Sequence, residues 1–120
     1  MEYLQLGIKL IIGFSILNVW LIRFNRNTPW RGGSASNMKE EFAHYKLSPT
    51  VMFAVGTLKV ILSILLMVSI WLPVLETPAA LGIAALMFGA ILMHFRVSDP
   101  IKKSIPAISF MILALAIVFL

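Results

Sequence analysis

The chain has 120 residues, 60% of them hydrophobic and only 12% charged, and its mean hydropathy is +0.95. Soluble domains are about 45–50% apolar, so most of this length is not facing water, and one domain is all it can hold. A net charge of +5 would suggest nucleic acid in a soluble protein. No basic and aromatic residues interleave on a soluble face, so the charge points to topology and anionic headgroups, and nucleic acid is set aside. The absence of cysteine removes disulfides, thiolate metal sites, redox CxxC motifs and cysteine nucleophiles together.

Met1-Glu2-Tyr3 lacks a basic leader region and no small-residue cleavage site follows, so the first apolar run is expected to be a retained helix. That span covers residues 3–22, about 30 Å at ~1.5 Å per residue. Lys9, Ser15 and Asn18 interrupt it, with Gly7 and Gly13 as small packing positions.

Residues 23–48 form the long polar stretch. Asn25-Arg26-Asn27-Thr28-Pro29 ends the first helix, and Arg31-Gly32-Gly33-Ser34-Ala35-Ser36-Asn37 reads as a flexible loop. Met38 to Leu47 gathers Met38, Phe42, Tyr45 and Leu47 on one helical face. The segment reads either as an amphipathic helix on the membrane surface or as a partly ordered loop.

Three further spans are expected at 49–70, 78–95 and 100–120. Ser48-Pro49, Thr77-Pro78 and Asp99-Pro100 each pair a capping residue with a proline at the first helical position. The short link after Trp71-Leu72-Pro73 makes the second and third spans antiparallel neighbours. Ala80, Gly82, Ala84, Ala85, Gly89, Ala107 and Ala114 let helices approach closely, within the chain, against a second copy or against a partner subunit. Pro106 predicts a kink near the entry of the last span. The fold class is therefore all-α: a four-helix transmembrane bundle in a single domain, residues 1–120, with a short amphipathic segment between its first two helices.

Of the ten Lys and Arg residues, Arg23, Arg26, Arg31, Lys39 and Lys46 follow the first span and Arg96, Lys102 and Lys103 follow the third. The positive-inside rule puts both of these loops (23–48 and 96–100) in the cytoplasm and both termini outside. Trp20, Trp30 and Tyr45 then suit an inner aromatic belt, and Tyr3 and Trp71 an outer one.

Lys59 carries most of the chemical information. It lies about 13 Å into the second span at ~1.5 Å per residue, where a lysine costs on the order of 3 kcal/mol. Two readings stand: a ligand-facing ammonium, or a stem that snorkels to the headgroups. His94 ends the third span, and Asp99 follows it, so Lys59, His94 and Asp99 could share a proton-handling or head-group site. The plainer readings are an interfacial histidine and an N-capping Asp99. Asn18 and Ser15, with Ser63 and Ser69, read as interhelical hydrogen bonds, and Asn18 is also a ligand candidate. Glu41 and His44, at i, i+3, form a secondary cluster beside Glu40. No second such pair exists, so a solvated face is expected rather than metal. Glu76 reads as a solvated charge.

Gly56-Thr57-Leu58-Lys59, His94, Asp99-Pro100, Pro106-Ala107 and the stretch Phe42-Ala43-His44-Tyr45-Lys46-Leu47-Ser48-Pro49 together resemble the DoxX-like family of small four-helix membrane proteins. The resemblance implies a bundle similar to those of lipid- and sterol-binding proteins that open a pocket among their helices. The family takes its name from a membrane subunit of a thiosulfate:quinone oxidoreductase, and some relatives are associated with quinone or thiol stress. The expected functions are binding of a lipophile such as a quinone between the helices, or a redox-associated subunit. The alternatives are a small enzyme using Lys59 and His94 for proton transfer, and a purely structural accessory subunit.

Overall fold

A computed structural model of the chain describes residues 2–26 and 28–120. Met1 of the opening tripeptide, the Glu2 side chain and Asn27 of the helix-ending run lie outside the described residues. Helix α1 (Glu2–Leu17) continues into a π-helical turn, Asn18–Ile22; then come α2 (Met38–His44), α3 (Pro49–Val68), α4 (Glu76–Arg96) and α5 (Ile105–Phe119). Four stretches are long and apolar enough to cross a membrane: Tyr3–Ile22, Pro49–Val68, Pro73–Arg96 and Ile101–Phe119. Helix α1 packs on α3, α3 on α4, α4 on α5 and α5 back on α1, so the spans form an up-and-down ring.

Lipid tails are as apolar as leucine, so this ring is held by close packing rather than by escape from water. Ile12, Leu66, Ile83 and Ile117 are fully buried at its centre, while Phe14, Phe53, Phe88 and Phe95 point outward. Helices α4 and α5 make the most extensive contact, and both contribute buried alanines: Ala80 and Ala84 from one, Ala107 and Ala114 from the other. Most of the small-residue surface is thus used inside the chain.

The helix ends separate what is local from what is not. Ser48 caps α3 as expected, its hydroxyl accepting from the Val51 N–H at 3.2 Å with Pro49 in the first turn. Thr77 does not cap. A 3-10 turn at Pro73–Leu75 leads straight into α4, which begins at Glu76 and carries Thr77 and Pro78 inside its first turn. Pro78 has no N–H to lose there. Asp99 does not cap either, because its carboxylate is drawn back to His94 and to the Gly33 N–H. The irregularity expected from Pro106 lies at the entry to the last span, as a change of helix type rather than a bend within α5. A 3-10 turn, Ile101–Ser104, precedes α5 and leaves Pro106 at its first positions. Ser63 and Ser69 donate to the carbonyls of Lys59 and Leu66 within their own helix, not to a neighbour. Glu76 is not merely solvated, since Lys9 Nζ meets its Oε1 at 2.9 Å and ties α1 to the start of α4.

Two helices end alike. Lys46 and Ser98 adopt positive φ (61° and 59°) just past α2 and α4. The next amide in each case turns back by five residues, Leu47 N–H to the Phe42 carbonyl and Asp99 N–H to that of His94, both at 2.9 Å. This is the Schellman arrangement, here built without glycine.

The polar stretch is an ordered cap on the bundle. Met38, Phe42 and Tyr45 are buried, so the apolar face of α2 packs on the helices instead of a membrane surface. Trp20 and Tyr45 are buried too and leave the expected inner belt, while Trp30, Tyr3 and Trp71 remain exposed. Gly32 and Gly33 are not flexible spacers. A Cβ on either would strike the rings of Tyr45 or His44, and Gly33 has φ 55°.

Candidate functional site

The ordering of the cap starts with Arg31, whose side chain is 3% exposed. Its guanidinium donates through Nε to the Arg26 carbonyl at 2.9 Å and through Nη2 to the Arg23 carbonyl at 2.6 Å. Those acceptors lie just past the end of α1, where carbonyls lack helical partners. The third arm, Nη1, meets Glu41 Oε1 at 3.0 Å. The planar fork thus fastens the end of α1 to α2, a task for which lysine has the wrong geometry.

From Glu41 a chain of side chains runs on. Glu41 Oε2 accepts from the Tyr45 hydroxyl at 2.7 Å, one turn along α2. Tyr45 Oη also lies 3.2 Å from His94 Nε2 on α4, ring edge to ring face. His94 Nδ1 lies 2.8 Å from Asp99 Oδ2, and Asp99 Oδ1 accepts the Gly33 N–H at 3.0 Å. His44 Nε2 stands 3.4 Å from that same oxygen, near enough for charge attraction but not aligned for a hydrogen bond.

The protonation pattern follows from the environment. Burial alone would raise the Asp99 carboxyl. Hydrogen bonds from His94 and from the Gly33 amide, with the two imidazoles, outweigh burial and hold it below the ordinary carboxylate value. An ionised carboxylate only accepts, so His94 Nδ1 carries the hydrogen in their bond. Burial pushes the Tyr45 phenol up and the Glu41 carboxylate beside it pushes further, so the hydroxyl keeps its proton.

This network forms one end of a partly open cavity of about 470 Å³ lined by α1, α2, α3, α4 and α5. Most of its wall is apolar, with Ile16, Val55, Leu86, Met87 and Phe110 among the contributors. Asn18, Lys59 and His94 all line it, and so do Glu41 and Tyr45. Lys59 projects from mid-α3, its Nζ 5.4 Å from the centroid of the Trp20 ring. That ring packs against Gly56, one turn earlier on α3, where a Cβ would collide with it. The π-helical turn of α1 carries both Asn18 and Trp20, in keeping with the use of such turns at functional positions.

The expected site residues therefore fall into two groups. Lys59, His94 and Asn18 share the cavity wall, whereas Asp99 stands behind His94 and orients it. Glu41 and His44 are not a separate solvated cluster. Glu41 lines the cavity, and both reach the Asp99–His94 pair, directly or through Tyr45. Glu40 stays apart: Asn37 caps α2 by accepting the Glu40 N–H at 2.8 Å, and the Glu40 carboxylate reaches back to the Ser36 N–H at 3.0 Å. Among the described residues no group of three His, Asp or Glu side chains is placed to hold a metal. Arg31 and Tyr45 are the functional residues that the sequence reading missed. The i, i+4 spacing of Glu41 and Tyr45 was the signal for one of them.

Neither the curated proteins nor the solved structures yield a match to this chain. The family model described as the DoxX-like family matches residues 32–118. The matched part contains Glu41, Tyr45, Lys59, His94 and Asp99, while the first span, with Asn18 and Trp20, lies before it. With well over half its length matched and four apolar helices, this chain belongs to the DoxX-like family of multi-pass membrane proteins.

Proposed function

We propose that the bundle holds a lipophilic molecule in the central cavity, its polar head toward Lys59, Tyr45 and His94 and its body among the apolar helices. The observation that carries this reading is the opening of an intramembrane lysine and a hydrogen-bonded network onto one cavity with otherwise largely apolar walls. The cavity volume falls in the range of roughly 300–1,000 Å³ common to small-molecule sites, which also favour the interior of helix bundles. A quinone fits the pattern: a flat apolar ring whose carbonyl accepts from Lys59. In that role the chain serves a redox process as a membrane subunit, with electron transfer supplied by a partner. The orientation that accompanies this reading places the network and both basic loops, 23–48 and 96–100, on the cytoplasmic side and the termini outside.

The test is mass spectrometry of lipophiles carried by the gently purified protein, wild type beside Lys59→Met. A defined lipophile present in the first and missing from the second is the expected result. Bulk phospholipid alone in both would overturn it. A stoichiometric partner retained on purification would support the subunit role.

A further inference from the structure

The charges on the cavity wall do not balance. Arg23, Arg31, Lys59 and Lys103 line it, and Glu41 is the carboxylate that faces them. Both Glu41 oxygens are engaged, one by Arg31 at 3.0 Å and the other by the Tyr45 hydroxyl at 2.7 Å. Asp99, the other carboxylate at this end, is turned to His94, His44 and the Gly33 N–H. Lys103 gives one N–H to the Pro29 carbonyl at 2.9 Å, which satisfies a hydrogen but not a charge.

Lys59 is the sharpest case. Among the described residues no carboxylate lies within the 4.0 Å of an ion pair, and the carboxylate whose field reaches it is the engaged Glu41. The face of Trp20 meets its ammonium, an attraction that softens the charge without neutralising it. A cation lacking its counter-charge in a medium of low dielectric carries a large desolvation cost. A neutral carbonyl on the guest would accept a hydrogen bond and leave that cost in place. An oxyanion within contact distance would remove it and would also meet the field of Arg23 and Lys103.

Resting on the cavity reading above, we infer that the guest supplies the missing negative charge: it is an amphiphile with an oxyanion head on an apolar body. Two chemical sources share this character, a lipid acid and a quinone-type ring bearing an acidic hydroxyl. The head lies between Lys59 and the Tyr45–His94 end, and the body extends along Val55, Leu86 and Phe110. Trp20, stacked beneath the lysine, is in position to report occupancy.

The experiment measures binding to the full chain in nanodiscs by Trp20 fluorescence, with Trp30 and Trp71 replaced by phenylalanine. The probes form two matched pairs: a 3-alkyl-2-hydroxy-1,4-naphthoquinone and its methyl ether, and lauric acid and methyl laurate. In the Lys59 protein and in Lys59→Arg, at least one acid should bind about tenfold or more tightly than its neutral partner, and in Lys59→Met that preference should vanish. Which acid shows the preference identifies the source. Equal affinity of acid and neutral partner in both pairs overturns the charge inference and leaves the cavity reading standing. Binding of none of the four overturns both. If Lys59→Met does not fold, the acid-to-neutral ratio in the other two proteins still decides.

Discussion

Asp99 and His94 are joined twice across the turn that ends α4: the Asp99 amide donates to the His94 carbonyl at 2.9 Å, and His94 Nδ1 donates to Asp99 Oδ2 at 2.8 Å. The first bond is a helix stop and the second aims an imidazole at the cavity. Because Asp99 also accepts the Gly33 amide, one carboxylate pins the cap, the helix end and the site together.

Asp99→Asn keeps the size and removes the charge. Asp99 has a folded-state value below its unfolded one, so it stabilises the folded chain above about pH 3.9, the unfolded value. That contribution is lost as pH falls through the lower folded value. At pH 7 the variant should be less stable by about 1.5–3 kcal/mol, the worth of hydrogen bonds to a charged group. Thermal unfolding in nanodiscs at pH 7 and pH 3 checks this, and the gap between the two proteins should narrow at the lower pH.

Arg31→Met leaves the Glu41 carboxylate and two carbonyls beyond α1 without their donor. Breaking a buried pair from one side costs about 3–5 kcal/mol. The cap should open to protease between residues 23 and 37 while the four spans stay protected. Arg31→Lys should restore only part of the resistance, which limited proteolysis followed by mass mapping will show.

Ser98→Gly should stabilise the chain. Ser98 is exposed and sits at φ 59°, a conformation costing an ordinary residue about 1–2 kcal/mol and glycine almost nothing. Glycine's extra freedom in the unfolded chain offsets part of this, so a gain of roughly 0.5–1 kcal/mol is expected. A lower unfolding temperature would mean that the hydroxyl contributes more than the backbone costs.

Lys9 and Glu76 should behave as a coupled pair. Lys9→Met and Glu76→Gln should each destabilise, the double variant should lose less than their sum, and exchanging the two charges should recover part of the loss. A double-mutant cycle on thermal stability gives the coupling energy directly. Additive losses would mean that the 2.9 Å contact carries no stability of its own.

The orientation can be read with single cysteines, since the chain has none. Ser36→Cys in the cap and Thr77→Cys in the first turn of α4, at the opposite end of the bundle, both replace exposed residues. In intact cells an impermeant maleimide should label position 77, and position 36 only after permeabilisation. The reverse pattern would invert the topology.

The membrane class and the four spans were legible because hydropathy over twenty residues depends only on what is nearby. The Ser48 cap was legible for the same reason, since its hydroxyl serves an amide three residues on. Asp99 has the same local grammar and a different role, because its partners are an imidazole five residues back and an amide sixty-six residues away. Glu41 and His44 were visible as a pair, but nothing in their spacing showed that α4 would bring His94 and Asp99 to them. Arg31 was read only as a topological charge. Its acceptors are mostly backbone carbonyls, whose directions residue types do not encode.

The packing of α4 against α5 has a mechanical corollary. Four buried alanines let these two backbones sit close over the most extensive contact in the ring, so that half is stiff. Across the ring, α1 and α3 meet through larger and more adjustable groups, with Trp20 packed on Gly56 and Met67 pressed against Gly13. A guest arriving sideways from the bilayer would meet a fixed wall on one side and a yielding seam on the other. A guest entering on the yielding side would have to displace Trp20, the ring that packs on Gly56 and lies over the Lys59 ammonium.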